Sequence, residues 1–153
     1  MRLRIFIIDD EESIRFTFKW HLESKGHEVI VAEDPLGCDV YQGCDCQKDD
    51  VCGDLYLVDY QMPTMNGLDF FEMIHERGCK TNPANKYIMS GNVTTIDMER
   101  VEKICCKVLQ KPIRLKELDE IVEGLLKKIN PERELTPLSV MREKAERYKT
   151  KKI

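Results

Sequence analysis

The Asp9-Asp10 pair, Asp59, Ser90 and Lys111 lie far apart in the chain, yet each falls where a short apolar run ends. Together their side chains suit one kind of chemistry. Carboxylates packed side by side repel and raise one another's pKa values. A hard divalent cation with oxygen ligands and retained waters relieves that repulsion, and Mg²⁺ suits such a set. Lys111 adds a compact, hydrated charge suited to a phosphate oxygen. The Ser90 hydroxyl can donate a hydrogen bond to another such oxygen. A carboxylate nucleophile, a metal, a cation and a hydroxyl together suit in-line phosphoryl transfer onto Asp59. Singly, each residue has an ordinary job. An Asp after a strand forms turns, an acidic pair caps the next helix, and Lys-Pro ends a strand. Only their arrival at successive strand ends selects the chemical reading.

That arrival depends on the elements around them. Apolar runs at Arg4–Ile8, Glu28–Ala32, Leu55–Val58, Tyr87–Met89 and Lys107–Leu109 read as strands. Ser13 to Ser24 carries Ile14, Phe18 and Leu22 on one helical face, with Ser13 as N-cap and Gly26 as stop. Leu68 to Arg77, Thr94 to Ile104 and Leu115 to Ile129 show the same helical period. Strands alternating with helices imply parallel β-α-β units, hence an α/β fold with a doubly wound, five-stranded parallel sheet. Such a sheet brings strand carboxyl ends to one edge, where open α/β folds place ligands.

Two stretches depart from the alternation. Asp34 to Gly53 holds three Gly, one Pro and four Cys, which predicts a short helix and a loop richer than the fold needs. The organisation read from the sequence is one domain over 1–130, with a Cys-rich insertion around 35–53, followed by a basic amphipathic tail, 131–153. Thr136-Pro137 resembles an N-cap with a first-turn proline. Leu138, Met141, Ala145 and Tyr148 then keep helical spacing.

The 153 residues can bury a sizeable single core. Lys and Arg number 24 against 28 Asp and Glu, a net charge of -4, so no overall basic field recruits nucleic acid or a membrane surface. The tail is nevertheless basic, with seven Lys/Arg against four Glu. No apolar run approaches membrane-spanning length, and Asp9-Asp10 cut short the leader-like start. A cytoplasmic location is expected, with the seven cysteines reduced.

On these residues the chain resembles the response-regulator receiver domain of two-component signalling, in its chemotaxis-regulator-like form. The resemblance runs from about Arg4 to Ile129. It rests on Asp9-Asp10 as acidic pair, Asp59 as acceptor, Ser90 as hydroxyl residue and Lys111-Pro112 as closing pair. Met62-Pro63 and Asn66-Gly67-Leu68 match the turn and helix start beyond the acceptor. The resemblance implies a flavodoxin-like strand order, 2-1-3-4-5, and a cis Lys111–Pro112 bond. It also implies Mg²⁺ held by Asp10, Asp59 and the Gln61 backbone carbonyl, with Asp9 acting through water. The donor would be a phosphohistidine of a sensor histidine kinase or phosphotransfer protein. The output would be a downstream protein reading the family's helix 4, strand 5 and helix 5. That surface or the tail would also be the place for two copies to pair. Neither nucleic acid nor membrane is an expected partner. Enzymatic turnover is not expected beyond self-catalysed phosphoryl acceptance and hydrolysis.

Some residues depart from the pattern or stay open. Val108 stands where the family carries Tyr or Phe, which leaves the relay to Ser90 and backbone movement. Gln61 and Asn92 flank the expected phosphoryl site. Cys38, Cys44, Cys46 and Cys52 have no familiar zinc spacing. Free thiols, a tetrahedral soft-metal site and a redox disulfide all fit them. A metal- or redox-sensing module on a receiver scaffold is therefore the alternative function. A haloacid-dehalogenase-like phosphatase is disfavoured, because Gln61 replaces the second acid that its chemistry needs. Cys79, Cys105 and Cys106 read as packing or surface residues and Trp20 as a packing residue, and His21, His27 and His75 share no metal spacing.

Overall fold

The computed structural model describes residues 1–35 and 51–143. Its strands are β1 (Arg4–Ile8), β2 (Glu28–Ala32), β3 (Leu55–Asp59), β4 (Lys86–Ser90) and β5 (Lys107–Gln110). Its helices are α1 (Glu12–Ser24), α2 (Gly67–Glu76), α3 (Met98–Ile104) and α4 (Leu115–Lys128). All strands pair in parallel, in the order β2-β1-β3-β4-β5. The doubly wound arrangement and the strand order are those expected.

Central strands in such a sheet are buried on both faces, which is why β1 and β3 read as continuous apolar runs rather than alternating ones. Every residue of β1 and β3 is buried. Alternate side chains go to opposite layers. Ile5, Ile7, Leu55 and Leu57 pack with Phe18 and Leu22 of α1 and with Leu118 and Val122 of α4. Phe6, Ile8, Tyr56 and Val58 pack with Phe70 and Phe71 of α2 and with Val101 and Ile104 of α3. The Phe6 and Tyr56 rings stack at 4.8 Å between centroids. Full burial of each such side chain contributes about 1.5–3 kcal/mol, so the central strands hold the site edge rigidly.

Helix ends follow local chemistry. After α1 the Gly26 N–H bonds the Glu23 carbonyl and the His27 N–H bonds that of Leu22, closing a left-handed stop with Gly26 at φ 92°. The start of α1 differs from expectation: Glu11 occupies the cap position without a side-chain bond, and Ser13 is already helical. The expected helix from Thr94 is also divided. Asn92 caps a 3₁₀ turn, Val93–Thr95, and Asp97 restarts the chain as α3 by accepting from the Glu99 and Arg100 N–H groups. Short polar side chains here offer the backbone partners that compete with a continuous helix.

The segment after Asn130 packs on its own sheet. Arg133 pairs with buried Asp54, and the Thr136 N–H donates to the Val51 carbonyl at 3.1 Å. Buried Arg4 donates to the Cys52 carbonyl at 3.0 Å and to that of Thr136 at 2.5 Å. A helical segment follows Pro137, and its Met141 is 0% exposed within the Phe6–Tyr56 layer. The Thr136 hydroxyl makes no cap bond; it is buried without a partner among the described residues. Leu138 and Met141 are thus turned onto the chain's own core, not offered to another molecule. Ala145 and Tyr148 lie outside the described residues.

Candidate functional site

The strand order reverses between β1 and β3, and the residues singled out by their chemistry meet at the carboxyl edge there. Asp9 directly follows β1, Asp59 is the last residue of β3, Ser90 the last of β4, and Lys111 directly follows β5. One carboxylate oxygen from each of Asp9, Asp10 and Asp59 lies within 4.8 Å of the others. The Lys111 Nζ is 2.9 Å from Asp9 and 3.0 Å from Asp59, so it bridges the two carboxylates. Lys111–Pro112 is cis, as the resemblance implied.

Burial separates the roles these groups can take. Asp9 is fully buried and Asp59 nearly so, while Asp10 is exposed at the rim. Loss of hydration raises the pKa of Asp9, against the opposing Glu11 N–H and Lys111. The Asp59 carboxyl is pushed up to about 6, chiefly by burial and then by the Asp9 charge and Asp10, with Lys111 opposing. Burial alone would lower the pKa of Lys111, but its bonds to Asp9 and Asp59 raise it overall. The site therefore holds more negative charge than one ammonium offsets.

Backbone bonds lock these positions. The Tyr60 N–H donates to the Met89 carbonyl at 2.8 Å, and the Lys111 N–H to that of Ser90 at 2.7 Å. The Ser90 hydroxyl accepts the Asn92 N–H at 3.1 Å and keeps its own proton to donate. Gln61 lies exposed in the loop after β3. Asn92 turns its side-chain oxygen back to accept the Thr94 N–H at 3.2 Å. Val108 is half-buried against the α2–α3 layer.

Sequence reasoning missed several supports. Arg15 donates to the Asp9 carbonyl at 2.7 Å from the first turns of α1. Asn66 caps α2 by accepting the Asp69 N–H at 2.7 Å. A Cβ on Gly67 would stand 2.7 Å from the Asp59 carbonyl oxygen, so the loop returns against the end of β3 only because that residue is glycine. Asn66-Gly67 marked a turn in sequence; nothing in sequence marked the close approach. Arg100 joins α3 to α2 through Asp69, at 2.6 Å, and Glu72. Trp20, read as a packing residue, is 63% exposed, and Phe16 one turn earlier is 71% exposed. The helical period turns both away from the Phe18–Leu22 stripe that faces the sheet.

The remaining cysteine and histidine positions are dispersed. Cys38, Cys44 and Cys46 lie outside the described residues, and Cys52 is half-buried against the core. Cys106 is buried, which pushes its thiol up to about 11, while Cys105 is exposed. His27 is buried with Nδ1 accepting the Leu3 N–H at 3.1 Å, and His21 meets Asp119 of α4 at 2.7 Å. Among the described residues the only potential metal-holding cluster is Asp9, Asp10 and Asp59.

The fold is thus a doubly wound parallel sheet with acidic residues and a lysine gathered at its switch point. The chain belongs to the response regulator receiver domain family, whose model matches residues 5–123. It is 26% identical over 132 residues to the phosphate regulon transcriptional regulatory protein PhoB of Klebsiella pneumoniae, covering 86% of this chain and 55% of that one. The chain spans about half the length of the first curated relatives it matches. Its fold is similar to that of Vibrio cholerae chemotaxis protein CheY4, with TM-score 0.66, 17% identity, and coverage of 82% of this chain and 99% of that one. It is also similar to the receiver domain of sensor histidine kinase PA1611 from Pseudomonas aeruginosa, with TM-score 0.65, 18% identity, and coverage of 84% and 100%. No helix among the described residues is long and apolar enough to cross a membrane.

Proposed function

We propose that this receiver accepts a phosphoryl group on Asp59 from the phosphohistidine of a sensor kinase or phosphotransfer protein. The observation that carries the reading is the Lys111 ammonium 3.0 Å from an Asp59 oxygen, with the Asp9 and Asp10 oxygens alongside. In the transfer, an Asp59 oxygen forms the new P–O bond as the donor's P–N bond breaks and the imidazole leaves. Lys111 balances charge on the phosphoryl oxygens, and the free proton of Ser90 bonds one of them. Asp9 orients Lys111 from the opposite side, at 2.9 Å.

Three carboxylates so close, with too little positive charge to balance them, fit a hard divalent cation such as Mg²⁺. Asp10, Asp59 and the Gln61 carbonyl would hold it, with Asp9 acting through water. When bound, the ion supplies charge neutralisation and orients the phosphoryl oxygens. The PA1611 receiver is described with magnesium coordinated in its active-site cleft, which supports the same assignment.

Signalling would pass through the surface of α3, β5 and α4 to a downstream protein, with hydrolysis of the aspartyl phosphate as the only turnover. We place the receiver unit across the docked segment after Asn130, not only over 1–130. The test is incubation with Mg²⁺ and a small acyl phosphate, followed by intact mass and peptide mapping. One phosphoryl group on Asp59 is expected, and none in Asp59→Asn. An unchanged mass, or the group found on another residue, overturns the proposal.

A further inference from the structure

Gln110 closes β5 directly opposite Ser90 in the strand register. Its amide is fully engaged. Nε2 donates to the Gly91 carbonyl at 2.7 Å and to that of Lys111 at 2.9 Å, while Oε1 accepts the Val93 N–H at 3.4 Å. This set fixes the amide's orientation, because a flipped amide would set its oxygen against two carbonyl oxygens. The bonds to Gly91 and Val93 hold both sides of Asn92, whose own N–H donates to the Ser90 hydroxyl. The backbone of Gln110 leads straight into Lys111, the bridge between Asp9 and Asp59. One side chain therefore ties the lysine of the site to the loop that directly follows its serine.

We propose that Gln110 is a positioning residue that latches the β4–α3 loop, and Ser90 with it, in the unphosphorylated arrangement and lets go when Asp59 is phosphorylated. The inference rests on phosphoryl acceptance at Asp59 as proposed above. A phosphoryl group would draw Lys111 and Ser90 toward its oxygens. The Gln110 amide bonds Lys111 itself and Gly91, the residue after Ser90, so movement of either one stretches its bonds. All its bonds are exposed, so water can take them over at little cost and the latch can open. The aliphatic Val108 on the same strand can make no such bond.

The test is amide hydrogen exchange of residues 91–96, with and without Mg²⁺ and excess acetyl phosphate, in the wild-type protein and in Gln110→Leu. In the wild type, phosphorylation should speed exchange of the Val93 amide about five-fold, the scale of one exposed hydrogen bond. Gln110→Leu should exchange at that faster rate before phosphorylation and show no further change after it, while Asp59 takes the same mass increase. A residue with only a structural role would raise both rates and leave their ratio intact. That result, or unchanged loop exchange beside normal labelling of Asp59, overturns the latch alone. No labelling of the wild type removes the receiver reading and the latch together.

Discussion

Replacing Asp59 by Asn should stabilise the protein while abolishing phosphoryl acceptance. The Asp59 carboxyl is almost buried, close to the Asp9 and Asp10 oxygens, and its pKa is pushed up from 3.8 to about 6. Between these values the native state binds more protons than the unfolded chain, so stability falls as pH rises through the window. Above pH 6 the full penalty is present, and two pH units at about 1.4 kcal/mol each make it on the order of 3 kcal/mol. Asn resembles the neutral acid in shape and polarity and carries no such penalty. The variant should therefore melt about 6–12 °C higher than the wild type at pH 7.5, without divalent cation. Near pH 4 the wild-type carboxyl is protonated and the gap should close. Thermal and urea unfolding followed by circular dichroism from pH 4 to 8 measure both. A variant no more stable than wild type at pH 7.5, or a gap that persists at pH 4, refutes the view that crowded negative charge strains this site. Added Mg²⁺ should narrow the gap at pH 7.5 by stabilising the wild type preferentially.

Gly67→Ala should lower stability by about 1–3 kcal/mol and slow acyl-phosphate labelling, because the new methyl meets the Asp59 carbonyl at 2.7 Å; melting and labelling rates report the two effects. Arg133→Ala leaves Asp54, 2% exposed, without its cationic partner, and should cost about 3 kcal/mol in urea unfolding while labelling stays normal. Phe16→Ser with Trp20→Ser should leave melting and acyl-phosphate labelling unchanged, since both side chains are exposed. If a protein donor seats on that face of α1, transfer from a phosphorylated histidine phosphotransfer domain that labels the wild type should slow; equal transfer rates would show that it docks elsewhere.

The extent to which the site was legible in sequence follows from how each residue is placed. Asp9, Asp59, Ser90 and Lys111 could be read because apolar runs mark strands, and parallel strands bring their carboxyl ends together regardless of sequence separation. The helix stripes followed from side-chain period alone. Boundaries were less legible, since Asn92 and Asp97 divide one helical pattern into a 3₁₀ turn and α3 through capping bonds that the pattern does not register. Trp20 was misread on its residue type: two residues from both Phe18 and Leu22, it falls off their helical stripe and on the outer face.

By itself, then, the sequence determined the parallel α/β sheet and the edge where its reactive groups gather, because local period and strand direction suffice for both. Only the tertiary structure decided which groups touch. Distances within 4.8 Å among Asp9, Asp10 and Asp59, the Lys111 bridge and the elevated Asp59 carboxyl all arise from packing elements distant in sequence. The same holds for Gly67 against Asp59, for the Gln110 amide spanning two loops, and for Arg133 reaching Asp54. Such contacts depend on the relative placement of whole elements, which no local pattern encodes.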